Sequence, residues 1–212
     1  MLRGVAKFCS KWAFNRIDDP PVRDGVLRRL KMTRATVAWV FGALLASSLS
    51  AQTGPSIAAD LKQSYNGIKN NILQAAEKMP DDAYGFKPSP AERDFGGWVA
   101  HVADSQAGAC SRIAGSPKQV NAASKTTKAD LIAVLKESFD ICDAVYEGTS
   151  DSNLAEGVPS FRGQTPRVSA LYGNIAHDQE CYGSMAVYLR LKGIVPPSTE
   201  AMERGRGRGK KE

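Results

Sequence analysis

His177 and Cys181 stand four residues apart in the stretch Gly173-Asn-Ile-Ala-His-Asp-Gln-Glu-Cys-Tyr-Gly183. On a helix that separation stacks two side chains on one face, one turn apart, as a metal ion requires of ligands supplied by a single element. Imidazole and thiolate are both good zinc donors. His101, in Phe95-Gly-Gly-Trp-Val-Ala-His-Val-Ala-Asp104, is the other histidine of the chain. For either histidine the alternative is a satisfied core residue, the commoner fate of a lone histidine on an apolar face, and spacing alone leaves both readings open.

Around this pair the neighbours are less telling. Asn174 shares the face of His177, whereas single-residue and three-residue steps turn Asp178 and Glu180 away from it. Ser184 and Tyr188 continue the line of Cys181 and read as packing or solvated-face positions. Cys110 follows His101 by nine residues, two and a half turns, so it faces the opposite way about 13 Å further along the axis and is a poor candidate for the same site.

Four helices must position these residues. The first spans about residues 56–79, with Ile57, Leu61, Ile68, Ile72, Ala75 and Met79 as its apolar stripe, and Pro80 ends it. The second spans about residues 95–114, entered through Pro88-Ser-Pro90 and closed by Gly115-Ser-Pro117. The third starts from Thr127 as N-cap, carries Leu131, Val134, Leu135, Phe139, Ile141 and Val145, and runs towards Gly148. The fourth opens after Pro166, buries Val168, Leu171, Ile175, Met185, Val187 and Leu189, and stops at Gly193. No stretch shows sustained alternation, so the expected class is all-α, a helix bundle. The connections of about a dozen residues permit crossovers as well as hairpins, and leave the topology open.

The formal charge of +6 is unevenly placed. Residues 1–51 hold nine basic and three acidic residues, whereas residues 52–212 hold nineteen of each. The body therefore lacks the excess that a nucleic-acid-binding face needs, and no nucleic-acid partner is expected for it. Read from Met32, the leader has a basic start, an uncharged apolar run from Ala35 to Ala46 and small residues up to Ala51-Gln52. That order is the secretory signature, and the run is short for a membrane span. Residues 32–51 are thus expected to be a signal peptide, with residues 1–31 ahead of the true start, and the mature protein periplasmic or extracellular. A retained anchor is the alternative. In an oxidising compartment a Cys110–Cys142 bridge between neighbouring helices is plausible, against two buried thiols, and it would leave Cys181 unpaired. The basic tail, residues 201–212, reads as a disordered solubilising segment rather than an RNA-binding one, since no aromatic residue interleaves its Arg-Gly repeats.

Taken with its continuation Met185-Ala-Val-Tyr-Leu-Arg-Leu-Lys-Gly-Ile-Val-Pro-Pro-Ser198, the stretch around His177 resembles the last helix of DinB/YfiT-like proteins. Asp94-Phe-Gly-Gly-Trp-Val-Ala-His-Val-Ala-Asp-Ser105 is similar to that family's second helix. The likeness covers about residues 55–198. It implies a four-helix bundle with an up-down-down-up path, and a metal held by one histidine of helix two and two histidines four apart on helix four. His101 and His177 match two of these positions, and Cys181 stands at the third, where the family has histidine. Such a set still leaves a coordination position open for water or substrate, and sulfur shifts the preference towards thiophilic ions. Zinc is the first expectation for the divalent ion, with nickel or another ion next. Tyr182 and Arg190 also match the family pattern and read as structural. The resemblance points to metal-dependent hydrolases and thiol-dependent transferases or isomerases acting on a small molecule not named by the sequence. Its alternative is a non-catalytic helical binding or stress-response module with a degenerate site. A homodimer is compatible with a small bundle, and no specific interface is visible.

Overall fold

The computed structural model describes residues 54–161 and 163–208, so the expected leader lies outside the described residues. Five α-helices are seen among them: α1 (Ile57–Lys78), α2 (Phe95–Ile113), α3 (Lys128–Glu147), α4 (Arg167–Leu191) and α5 (Pro197–Arg208). None is long and apolar enough to cross a membrane.

Local chemistry sets the helix starts. Ser56 caps α1 by accepting from the Ala59 N–H at 3.1 Å. Asp94 caps α2 by accepting from Gly97 N at 2.6 Å, and a Cβ at position 97 would lie 2.9 Å from that same carboxylate oxygen. Glycine is therefore what allows the cap to close. Thr127 caps α3, accepting from Asp130 N at 3.1 Å while its hydroxyl donates to the Asp130 carboxylate at 2.8 Å. Pro166 offers α4 no side-chain cap. The loop before it does the work, because the Arg167 and Val168 N–H groups donate to the carbonyls of Glu156 and Leu154 at 2.8 and 3.0 Å.

Each of α1 and α2 packs against both α3 and α4. The helices bury their stripes on one core containing Tyr65, Ile72, Phe95, Phe139, Leu135, Leu171, Met185 and Leu189. Truncating one of the aromatic members to alanine costs about 3–5 kcal/mol at such sites. Two residues expected inside are not: Ile57 is 59% exposed and Val187 50% exposed. Ile57 lies at the first turn, beyond the reach of the partner helices. Val187 falls two residues from both Met185 and Leu189, about 200° round the helix from the buried stripe.

The all-α expectation needs a correction, since an antiparallel hairpin, β1 (Gly157–Ser160) and β2 (Gly163–Pro166), joins α3 to α4. Its strands are four residues each and contain Pro159 and two glycines, too short and irregular to give a period-two pattern. Val158 anchors it in the core. Gly163, at φ +92°, turns the chain between the strands.

The tail also differs from the expectation of disorder from residue 201, because helix α5 continues through Arg208. Pro197 starts it, and its first turn is tied down by three contacts. Ser198 N donates to the Tyr182 hydroxyl at 2.9 Å, Arg190 reaches the Thr199 hydroxyl at 3.3 Å, and Lys78 pairs with Glu200. Tyr182 and Arg190 therefore hold α5 against α4.

Cys110 of α2 and Cys142 of α3 form a disulfide, with their Cα atoms 5.0 Å apart. The bridge closes a loop across a sequence separation of 32, which restricts the unfolded chain enough to stabilise the fold by about 3–4 kcal/mol. Replacing both cysteines with alanine should lower stability by about that amount in denaturant titration, and peptide mapping without reductant should recover Cys110 and Cys142 linked and Cys181 free.

Burial raises the pKa of Tyr65 and Tyr146, and a hydrogen bond to the Asp143 carboxylate raises Tyr65 further. Raised folded-state values leave stability intact below the unfolded tyrosine pKa of about 10, and withdraw it as pH climbs towards the folded values. Urea midpoints should accordingly be flat with respect to these groups up to about pH 10 and fall above it, less steeply in Tyr65→Phe.

Candidate metal centre

His101 projects from the middle of α2, and His177 and Cys181 from successive turns of α4, so all three meet at the α2–α4 contact. Their donor atoms lie within 4.8 Å of one another. The two Nε2 atoms are 3.1 Å apart, and Cys181 Sγ is 3.6 Å from His177 Nε2. A tetrahedral zinc ion with ordinary bond lengths requires separations of about 3.3 Å between nitrogens and about 3.6 Å between nitrogen and sulfur. The two separations made by His177 thus fit one tetrahedral ion, the three donors together lie within 4.8 Å, and a set of three would leave a tetrahedral position open. Cys181 is buried and unpaired, while both imidazoles are partly accessible.

The two histidines are electrostatically unlike. Burial depresses the pKa of His101, helped by the positive charge of Arg93. His177 moves the other way, pushed up to about 10 by the Asp178 carboxylate and then by the Cys181 sulfur. Asp178 Oδ1 lies 3.7 Å from His177 Nδ1, an ion-pair contact too long for a hydrogen bond. In the metal-free protein a protonated His177 can therefore donate from Nε2 to neutral His101. A metal ion would take the place of that proton.

Asp178 was expected to turn away from the site, and the structure corrects this. It is fully buried, accepts a hydrogen bond on Oδ2 from Gln106 Nε2, and keeps Oδ1 without a hydrogen-bond partner. Burial pushes its pKa up, opposed by the neighbouring His177. The Gln106 carbonyl accepts from Asn174 at 2.8 Å, and the Asn174 carbonyl lies 3.0 Å from the Tyr146 hydroxyl. Gln106 was not weighed from sequence, and Asp178 was weighed only as a residue turned away from His177. The signal was present, because Leu171, Asn174, Asp178, Cys181 and Met185 step by three and four along the buried stripe of α4, which puts a carboxylate in the core.

Other residues set the frame. The Tyr188 hydroxyl donates to the Arg93 carbonyl at 2.6 Å, fixing the approach to α2. Trp98 meets the His101 ring edge-on, with centroids 6.0 Å apart. A groove of about 520 Å³ runs from His177 between α2 and α4 under the hairpin. A second, of about 660 Å³, opens beside His101. A third cavity, of about 800 Å³, is lined by none of the three donors.

The described structure is thus a predominantly helical protein whose two central helices hold a His-His-Cys donor set above a buried carboxylate. The sequence model of the DinB superfamily matches residues 67–185, and the chain belongs to that superfamily. Among solved structures it is similar to a DinB-like protein from Bacillus subtilis, at 21% identity and TM-score 0.51, covering 63% of this chain and 92% of that one. A DinB-like protein from Bacillus cereus is similar at 17% identity and TM-score 0.55, covering 67% and 96% respectively. These likenesses establish the fold. No curated protein matches the sequence.

Replacing Asp178 with Asn removes a buried charge but keeps an acceptor for Gln106. Metal-free Asp178→Asn should melt below the parent temperature at pH 7, because protonated His177 loses the carboxylate that supports its charge. Its affinity for zinc, measured by competition with a chelating dye, should fall about 10- to 100-fold, since the carboxylate no longer supports His177.

Proposed function

We propose that this protein is an exported DinB-superfamily member that binds one divalent ion, zinc first among candidates, through His101, His177 and Cys181. The observation that carries the reading is that three metal-binding donors from two helices converge within 4.8 Å, the two separations made by His177 being those of a tetrahedral ion. The family's up-down-down-up path is consistent with α1 and α2 each packing on α3 and α4. Export is supported by the leader pattern and fits a disulfide-bonded core.

With a coordination position open to a small molecule, the site suits a metal-dependent hydrolase or a thiol-dependent transferase. Bound zinc would supply Lewis acidity to a carbonyl, a thiol or water. The chain's own part is to hold the three donors in register, to keep His177 neutral and oriented once its proton is displaced, and to wall the site from solvent with α2, α4 and the hairpin.

A second reading has its own support. The His101–His177 contact is satisfied without an ion when His177 is protonated. On that reading the protein is a non-catalytic helical binding or stress-response module, and Cys181 marks a degenerate site. In either case the body offers no basic excess for nucleic acid.

Elemental analysis of protein purified without chelator or histidine tag separates them. About one ion per chain is expected, lost in His177→Ala and in Cys181→Ala. Zinc titration at pH 7 in weak buffer should release the proton held by His177. No metal after reconstitution under reducing conditions would establish the second reading.

A further inference from the structure

We propose that the groove between α2 and α4 binds a small amphipathic oxyanion, with Arg112 recognising its anionic group and the donor triad at the opposite end. The inference rests on the reading of that triad as a metal site. His101, Ser105, Ala109 and Arg112 follow one another along α2 at steps of four, four and three. α4 runs the other way alongside, since His101 meets His177 while Gln106, further along α2, meets Asn174. His177 and Arg112 both line the groove, and about 16 Å of helix rise separates His101 from Arg112.

Arg112 is the groove's one permanently charged residue among those described. No carboxylate among the described residues pairs with it, and its buried Nε has no hydrogen-bond partner. A buried donor left unmade is costly, and a cation without its counter-charge more so. The guanidinium carbon lies over the Phe161 ring, 4.3 Å from the centroid. A guanidinium placed over a ring face keeps N–H donors to meet a carboxylate, phosphate or sulfonate by two parallel hydrogen bonds. The remaining wall is largely apolar, with Ala109, Ile113, Pro159, Ala170 and Tyr172. A volume of about 520 Å³ is in the range of small-molecule sites. The occupant that satisfies these surfaces has an apolar or aromatic body, an oxyanion at one end and a metal-directed group at the other.

The test is calorimetric titration of the full chain with 4-phenylbutanoate and with its neutral amide, metal-free and zinc-loaded. The anion should bind about tenfold or more tightly than the amide, the scale of a charge-assisted hydrogen-bond pair. Arg112→Gln should abolish that preference without changing the melting temperature or the metal content, Arg112→Lys should keep part of it, and Phe161→Ala should weaken both compounds alike. Persistence of the preference in Arg112→Gln, or failure of the parent protein to bind either compound, overturns the proposal. A preference confined to zinc-loaded protein, lost in His177→Ala but not in Arg112→Gln, would place the anion on the metal and overturn it while the metal reading stands. An Arg112-dependent preference in protein that takes up no metal would sustain the groove and remove the metal reading.

Discussion

A carboxyl group buried among apolar side chains costs several kcal/mol unless hydrogen bonds and a nearby cation offset it, and Asp178 stands in that position at the centre of the helical core. One of its oxygens is held by Gln106, the Gln106 carbonyl by Asn174, and the Asn174 carbonyl by Tyr146. The Tyr146 ring is stacked on Tyr65 at 3.9 Å, whose hydroxyl donates to Asp143. This line passes through all four long helices. Hydrophobic contacts alone tolerate small slides of one helix past another, but a polar line in a low-dielectric core loses its partners when any member shifts. The register that brings α2 against α4 is therefore tied to the satisfaction of these groups, and the disulfide between α2 and α3 sits in the same layer, one turn from Gln106.

The same carboxylate governs the chemistry at the surface of that core. Its charge raises the pKa of His177, while burial and Arg93 lower that of His101. Two imidazoles 3.1 Å apart would repel if both were protonated, and would leave a donor short if both carried hydrogen on the facing nitrogen. Opposite shifts resolve the conflict with one shared proton. They also define what an ion must do to enter: displace the proton that His177 shares with His101 and receive, in exchange, a histidine whose far nitrogen faces a carboxylate. Metal-binding histidines commonly have such an outer partner. At 3.7 Å the contact is loose without an ion.

Helix boundaries were legible to within a residue or two because the Pro88-Ser-Pro90 turn, Thr127 and Pro166 before the helices, and Pro80, Gly115 and Gly148 after them, are signals whose effect is local. Family membership was legible for a similar reason, since the residues around His101 and His177 are continuous in sequence. The hairpin was not, because four-residue strands containing proline and glycine give no periodic signal and form only where Val158 finds the core. Helix α5 depends on contacts made by Tyr182, Arg190 and Lys78 with residues distant in sequence, so composition alone favoured disorder there. Asp178 illustrates a different failure. Its orientation was judged relative to His177, one residue away, when the informative comparison was with Leu171, Asn174 and Met185 along the core stripe.

Cysteine at the third donor position changes more than ligand softness. A thiol is shorter than an imidazole, so Cys181 holds its sulfur closer to the α4 backbone than a histidine there would hold its nitrogen. His177 rises one turn before it and points its Nε2 towards α2, which brings that atom within 3.6 Å of the sulfur. The sulfur is buried and has no partner cysteine, since the other two described cysteines are bonded to each other. An exposed thiol beside a protonated imidazole would be prone to ionise and oxidise. Burial at the helix interface limits that route, and coordination would close it by occupying the lone pair.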